Sequence, residues 1–216
     1  MNEWPFGERA IVAAMAEEAT SATLPEPTTS ERIVAAAAEL FHEQGYHATT
    51  MRQIAARVGI KAGSLYNHFP GKQELLFTIA HDTMGDMLRR AVLAMSSEDT
   101  PDGRLRAFVR AHTLYCIEER YRARVADDLR DLEPHNLERV LAIRDEYEQL
   151  LRDVLREGRD QSGWNVIDVP IVSFAFATMA SAVSVWYREG GRLSPEEIAD
   201  AYAEITLRAV RRSTGS

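Results

Sequence analysis

Residues 41–76 read FHEQGYHATTMRQIAARVGIKAGSLYNHFPGKQELL, and the punctuation of this stretch decides the fold. Gly45, Gly59 and the Phe69-Pro70-Gly71 run are stop signals, because glycine accepts the left-handed backbone that ends helices and proline cannot continue one. Upstream, Ile33, Val34, Ala37, Leu40 and Phe41 recur at helical spacing behind an N-cap candidate at Ser30, which predicts a first helix ending at Gly45. Thr50-Met51-Arg52-Gln53 has the form of a capping box, and Ile54, Ala55 and Val58 give a second helix its apolar stripe before Gly59 ends it. Gly59 to Ser64 is a tight connector into a third, short helix through Leu65 and Tyr66. A fourth helix starts near Lys72 and runs to about Met95. Three short helices joined by glycine-containing turns make a unit whose last helix can enter a DNA major groove.

Spacing of this kind occurs in many helical proteins, so the residue string carries the rest. Phe41-(x)3-Gly45-Tyr46-(x)2-Thr49-Thr50-(x)3-Ile54-Ala55-(x)2-Val58-Gly59-Ile60-(x)2-Gly63-Ser64-Leu65-Tyr66-(x)2-Phe69-(x)2-Lys72-(x)2-Leu75 closely resembles the signature of the TetR family of transcriptional regulators. The resemblance implies sequence-specific binding to double-stranded operator DNA. It also implies an all-α fold with an N-terminal helix-turn-helix, three-helix domain followed by a larger helical effector-binding and dimerisation domain.

Thr50, at the start of the second helix, can offer its hydroxyl or backbone N–H to a phosphate at the positive end of a helix dipole. Lys61 and Ser64 open the third helix, where they face base edges or nearby phosphates; Ala62 lies between them, and Lys and Ser each accept more than one base partner. Gly63 leaves the backbone bare for close approach. By resemblance, Tyr66 and His68 touch the sugar-phosphate backbone, Asn67 contacts either backbone or base, and Lys72 holds a phosphate. Arg52 completes the DNA-facing set. Ile54, Ala55, Leu65 and Phe69 are expected to pack the core.

The chain divides into an N-terminal arm (1–27), the DNA-binding domain (28–76) and the larger helical domain (77–216). Turn and capping signals in the last region bound helices at about Pro101–Glu119, Arg122–Leu132, Asn136–Arg159, Pro170–Arg188 and Ser194–Arg212. The resemblance implies a homodimer through the last two of these, and their apolar positions, Ile171, Phe174 and Val185 with Ile198, Ile205 and Val210, agree. Reading two half-sites 34–36 Å apart requires such a pair. Trp186-Tyr187-Arg188-(x)1-Gly190-Gly191 with Leu193 to Tyr202, and Arg144-Asp145-Glu146-Tyr147, are similar to a TetR subgroup governing fatty-acid or sterol breakdown, some of whose members sense acyl-CoA thioesters. A small hydrophobic effector then calls for an apolar pocket with a few polar groups. Its candidate lining is Phe108, His112, Tyr115 and Cys116 on one helix, with Leu129, Arg144 and Tyr147 following. Phe176, Met179 and Val183 complete it from the next helix.

Composition narrows the alternatives. The chain has 216 residues, 45% hydrophobic and 27% charged, with a net charge of −8. Such a balance excludes a protein that coats nucleic acid indiscriminately, since phosphate binding needs clustered cations. Between Thr28 and Phe77, however, five basic residues stand against four acidic ones, and both lysines of the chain, Lys61 and Lys72, fall inside this window. Cys116 is the only cysteine, so no intramolecular disulfide or multi-cysteine metal site is expected. His112 and Cys116 share a helix face but lack a third ligand or orienting partner, so neither a metal nor a cofactor is expected. Val169 to Trp186 is interrupted by Pro170, Ser173, Thr178, Ser181 and Ser184 and reads as a buried helix rather than a membrane span. The acidic N-terminus lacks the pattern of a secretory leader, so a cytoplasmic location is expected. No paired carboxylates, catalytic triad or phosphate-cradling glycine loop favours an enzyme. An activator of the same fold, or a helical small-molecule-binding protein or enzyme, are the alternatives to a ligand-released repressor.

Overall fold

The computed structural model describes residues 26–211, and all regular structure among them is helical. The arm expected over 1–27 lies, apart from its last two residues, outside the described residues. Helix α1 spans Thr29–Gln44, α2 Met51–Val58, α3 Ala62–His68 and α4 Lys72–Ser96. Then follow α5 Pro101–Glu118, α6 Arg120–Asp127, α7 Pro134–Ser162, α8 Val169–Ser181, α9 Val183–Trp186 and α10 Pro195–Val210.

Five of the ten described helices start on a side-chain cap. The α1 cap is Thr28 rather than Ser30: its hydroxyl accepts from Glu31 N while the Glu31 carboxylate reaches back to Thr28 N at 2.7 Å. Thr50 and Gln53 form the expected box at α2, and Ser194 and Glu197 form another at α10, with Pro195 in the first turn. Gly45 and Gly59 cap α1 and α2 with φ of 86° and 79°, values that cost a side-chain-bearing residue steric strain.

The small unit is closed by Ile33, Ala37, Ile54, Leu65 and Leu75, each fully or almost fully buried, with α1 against α2 and α2 against α3. Helix α4, at ~1.5 Å per residue, carries the chain out of this unit into the larger bundle, where it packs on α5, α6 and α7. The boundary drawn at 76/77 therefore falls inside one continuous helix. α10 and α5 form the most extensive pairing of the bundle, and α1 leans on α6, which joins the two parts.

Three boundaries differ from expectation. The helix predicted to reach Leu132 stops at Asp127, because the Asp128 carboxylate accepts from both Arg130 N and Arg130 Nε and bends the chain into turns over 128–133. The helix predicted to end at Arg159 continues to Ser162 through Gly158, which is no stop: the Trp164 ring lies where a Gly158 side chain would stand. The helix predicted over Pro170–Arg188 breaks at Ala182, where Ser184 Oγ donates to Ser181 O at 2.8 Å. Nor is Val169–Trp186 a buried helix, since only 28% of it is covered. Ile171 and Phe174 are 69% and 73% exposed, Val185 and, on α10, Ile205 are exposed too, and Trp186, also exposed, stacks on Tyr202.

Candidate functional site

The short helix α3 presents the side chains expected to read DNA. Leu65 faces inward and is fully buried, and Phe69 just after the helix is buried with it. With those two anchors fixed, Lys61, Gly63, Ser64, Tyr66, Asn67 and His68 are exposed and Ala62 is half-covered. Tyr66, 53% exposed, lays a large amphipathic ring on the surface without a buried partner. His68 Nδ1 is 3.0 Å from Ser30 Oγ, which orients the imidazole from α1 and leaves Nε2 outward. Gly63 has nothing within 4 Å of where a Cβ would lie, so its value is to whatever approaches from outside rather than to internal packing.

Thr50 is exposed at the N-terminus of α2, its hydroxyl donating to Gln53 Oε1 at 2.8 Å and accepting from Gln53 N. Arg52 is exposed on the same turn. Lys72 is placed differently from a free cation: its Nζ donates to Tyr46 O at 2.8 Å and sits 4.5 Å from the Tyr46 ring centre. Nζ also reaches His47 O at 3.4 Å, so the ammonium is largely committed internally and braces the turn that precedes Thr50. Arg57 is spoken for as well, pairing with Glu39 and Glu43 of α1 at 2.9 Å each, and Arg32 Nη2 donates to Val58 O at 2.8 Å. These arginines fasten the unit together.

The expected effector residues separate into a cluster and its surroundings. His112 is buried between two hydroxyls, Nδ1 2.7 Å from Tyr147 Oη and Nε2 2.9 Å from Ser181 Oγ. The Phe108 ring packs tilted at 32° against the Tyr147 ring with centroids 4.9 Å apart, and Cys116, buried and in reach of Ser181, completes the group. Burial pushes His112 down to about 4, Cys116 up to about 12 and Tyr147 well above the ordinary phenol value. All three are therefore neutral near pH 7, and the thiol is neither a nucleophile nor a ready metal ligand. Val183 is buried, with Phe176 and Met179 half-covered on α8. Arg144 lies one helical turn before Tyr147 and donates to Ala126 O at 2.6 Å. Leu129 is buried in the turn segment after α6. Tyr115, although fully buried, faces away from this cluster, under the Arg90 guanidinium at 5.0 Å. Ser181 was not among the expected lining; a serine within an apolar helix gives no sequence signal of its partner. Open clefts lie elsewhere, one of about 460 Å³ between α1 and the α5–α6 corner and one of about 620 Å³ between α1 and α4.

Comparison with known proteins finds two matching segments. Residues 33–79 match the family model described as bacterial regulatory proteins, tetR family, and residues 98–210 match the tetracyclin repressor-like C-terminal domain. The chain is 31% identical over 192 residues to the HTH-type transcriptional repressor KstR2 of Mycolicibacterium smegmatis, a match covering 86% of this chain and 92% of the relative. Among solved structures, a bacterial regulatory protein in the tetR family from Rhodococcus RHA1 superposes with a TM-score of 0.79 at 28% identity, covering 87% of this chain and 99% of the other. The ketosteroid transcriptional regulator KstR2 of Mycobacterium tuberculosis superposes with a TM-score of 0.78 at 25% identity, covering 86% and 96%.

Proposed function

Because this chain belongs to the TetR family of bacterial regulatory proteins, we propose that it is a cytoplasmic, homodimeric repressor that binds operator DNA through α3 and is released by a small hydrophobic effector. The observation that carries the reading is the exposed row Lys61, Gly63, Ser64, Tyr66, Asn67 and His68 on a helix whose inward anchors are wholly buried. Such a helix fits a major groove, with Lys61 and Ser64 at base edges and Tyr66, His68, Thr50, Arg52 and the remaining N–H groups of Lys72 on phosphates.

The exposed apolar side chains Ile171, Phe174, Val185 and Ile205 support a dimer through α8, α9 and α10, since an exposed patch of large hydrophobics marks an association surface. Two copies of α3 then meet two half-sites. The His112 cluster supports the effector site. It is apolar in bulk, carries no charge near neutral pH, and offers an imidazole and two hydroxyls, a set suited to a keto or hydroxyl oxygen on a hydrophobic skeleton rather than to a bare carboxylate. The similarity to the ketosteroid transcriptional regulator of Mycobacterium tuberculosis favours a steroid-derived or other lipid-like ligand, free or as its acyl-CoA thioester.

An enzymatic role has no such support. A histidine held near 4 between two hydroxyls is a poor general base at neutral pH. Gel-shift titration with the DNA upstream of the protein's own coding sequence tests the repressor reading, with a scrambled duplex as control. Thermal-shift screening against ketosteroids, free fatty acids and acyl-CoAs tests the effector class, because a ligand stabilises the fold as the logarithm of its excess over Kd. Equal affinity for both duplexes contradicts the first, and silence across the panel contradicts the second.

A further inference from the structure

One side chain fastens the larger helical domain to the DNA-reading unit, and it belongs to neither the reading surface nor the buried cluster. Gln73, in the first turn of α4, uses its whole amide. Nε2 donates to Tyr46 Oη at 2.9 Å and to Asp131 O at 2.7 Å, and Oε1 accepts from Glu133 N at 3.1 Å. The Glu133 N–H can only donate, which fixes the orientation of the amide. Beside it, His47 Nε2 meets an Asp131 carboxylate oxygen at 2.8 Å. Tyr46 and His47 form the turn between α1 and α2, whereas Asp131 and Glu133 lie in the segment 128–133 between α6 and α7.

Each end of this fastening continues into a stiff element. On the reader side, Gly45 has φ 86° and the buried Thr49 hydroxyl donates to Gly45 O at 2.9 Å, so a shift of Tyr46 is passed to Thr50, the cap of α2. On the other side, Leu129 and Leu132 bury the segment, and Arg144 of α7 holds Ala126 O just before it. Arg144 and Tyr147 stand three residues apart, hence on one face of α7, and Tyr147 is a member of the His112 cluster.

We propose that Gln73 is a coupling residue: the segment 128–133, gripped by its amide, transmits the state of the sensor cluster to the α1–α2 turn and so to the DNA-facing start of α2. The proposal rests on the repressor reading and adds to it the contact through which release is communicated. Contiguity alone does not establish coupling, which has to be measured as a reciprocal effect between the two ends.

The test is amide hydrogen exchange on the full-length dimer, as wild type, Gln73→Met and His47→Ala, free and with a duplex from the protein's own upstream region. In the free protein, loss of the three amide bonds in Gln73→Met raises exchange over both 45–50 and 128–133, by about tenfold for a net loss of little more than one hydrogen bond's worth. With saturating duplex, wild type gains protection over 128–133 as well as over 61–68. Gln73→Met keeps the second and loses the first. His47, whose side chain is 84% exposed and so is not needed for folding, gives a smaller change in the same direction. The proposal is overturned if exchange in the free variant rises at neither segment, or if duplex protects 128–133 equally in wild type and variant, or not at all in wild type. Failure of wild type to prefer its upstream duplex over a scrambled one sinks the repressor reading separately, while the free-protein exchange still judges the latch.

Discussion

Replacing His112 by glutamine isolates a single proton in the stability of the protein. In the folded chain burial lowers the imidazole from its ordinary 6.5 to about 4. The unfolded chain therefore binds a proton near pH 6.5 that the folded chain refuses until about pH 4. Between those values the unfolded state holds more protons, so stability rises with pH across the window and falls as the solution is acidified. At about 1.4 kcal/mol per pH unit of displacement, the group costs about 3 kcal/mol once pH is below both values, and about 2 kcal/mol between pH 8 and pH 5. Glutamine cannot titrate. It retains a hydrogen bond to one of Tyr147 or Ser181 and leaves the other hydroxyl short of a partner, a roughly pH-independent penalty of about 1–3 kcal/mol. Urea unfolding followed by circular dichroism at half-unit pH steps, with protomer concentration held constant because association contributes to stability, gives two curves. They should converge by about 2 kcal/mol on going from pH 8 to pH 5, the wild type losing more. Curves that stay parallel refute the reasoning, since they mean that the imidazole titrates alike in both states or gains its charge within the fold.

Three further outcomes follow from the same geometry. Lys61→Ala removes an exposed cation of the reading helix, so fluorescence anisotropy should show weaker operator binding and a logarithmic salt dependence shallower by about one per half-site; an unchanged slope places Lys61 off the phosphates. Phe174→Glu puts a charge on an exposed apolar face and should move the protein to monomer in sedimentation velocity, with operator affinity falling by at least about tenfold; a dimer that persists means the interface lies elsewhere. Gly158→Ala sets a methyl against the Trp164 ring, whose indole N–H is held by Asp102 at 3.0 Å, and should lower stability by about 1–3 kcal/mol in urea; a neutral effect means the ring moves freely.

The reading helix was legible because every device that shapes it is local. Gly45 and Gly59 end helices within a residue or two of themselves, Thr50 and Gln53 cap each other across three positions, and Leu65 points inward by helical period. Where expectation failed, the deciding interaction was remote or unsignalled. Gly158 looks like a stop until Trp164 is folded back over it. Lys72 looks like a free phosphate ligand until the carbonyl of Tyr46, 26 positions earlier, accepts a hydrogen bond from its ammonium. Tyr115 shares a helix with Phe108 and His112, yet its position on that helix turns it toward Arg90 of α4. Ser181 carries no mark of its bond to His112, 69 positions away. Val169–Trp186 was expected to be buried because apolar residues usually are; the chain itself covers only 28% of it, and the proposed dimer is what would cover more.

On the proposed dimeric reading, the charge arrangement of the DNA-facing unit explains why a second protomer matters for function. Arg32 and Arg57 are consumed in holding α1 to α2, and Lys72 is partly consumed in holding the turn before Thr50. Among the described residues of this unit, Arg52, Lys61 and part of Lys72 remain for phosphates, assisted by neutral groups, on a chain whose net charge is −8. Few cations per half-site mean a small counterion-release contribution and a weak grip by any single protomer. Joining two readers makes the second contact intramolecular and multiplies affinity without any new contact, provided both reach their half-sites together. An effector need not dislodge either helix from its groove. On the proposed reading, a change at the His112 cluster that shifts the spacing or tilt of the two readers would remove the simultaneous fit and leave each with a half-site affinity too weak to hold the operator.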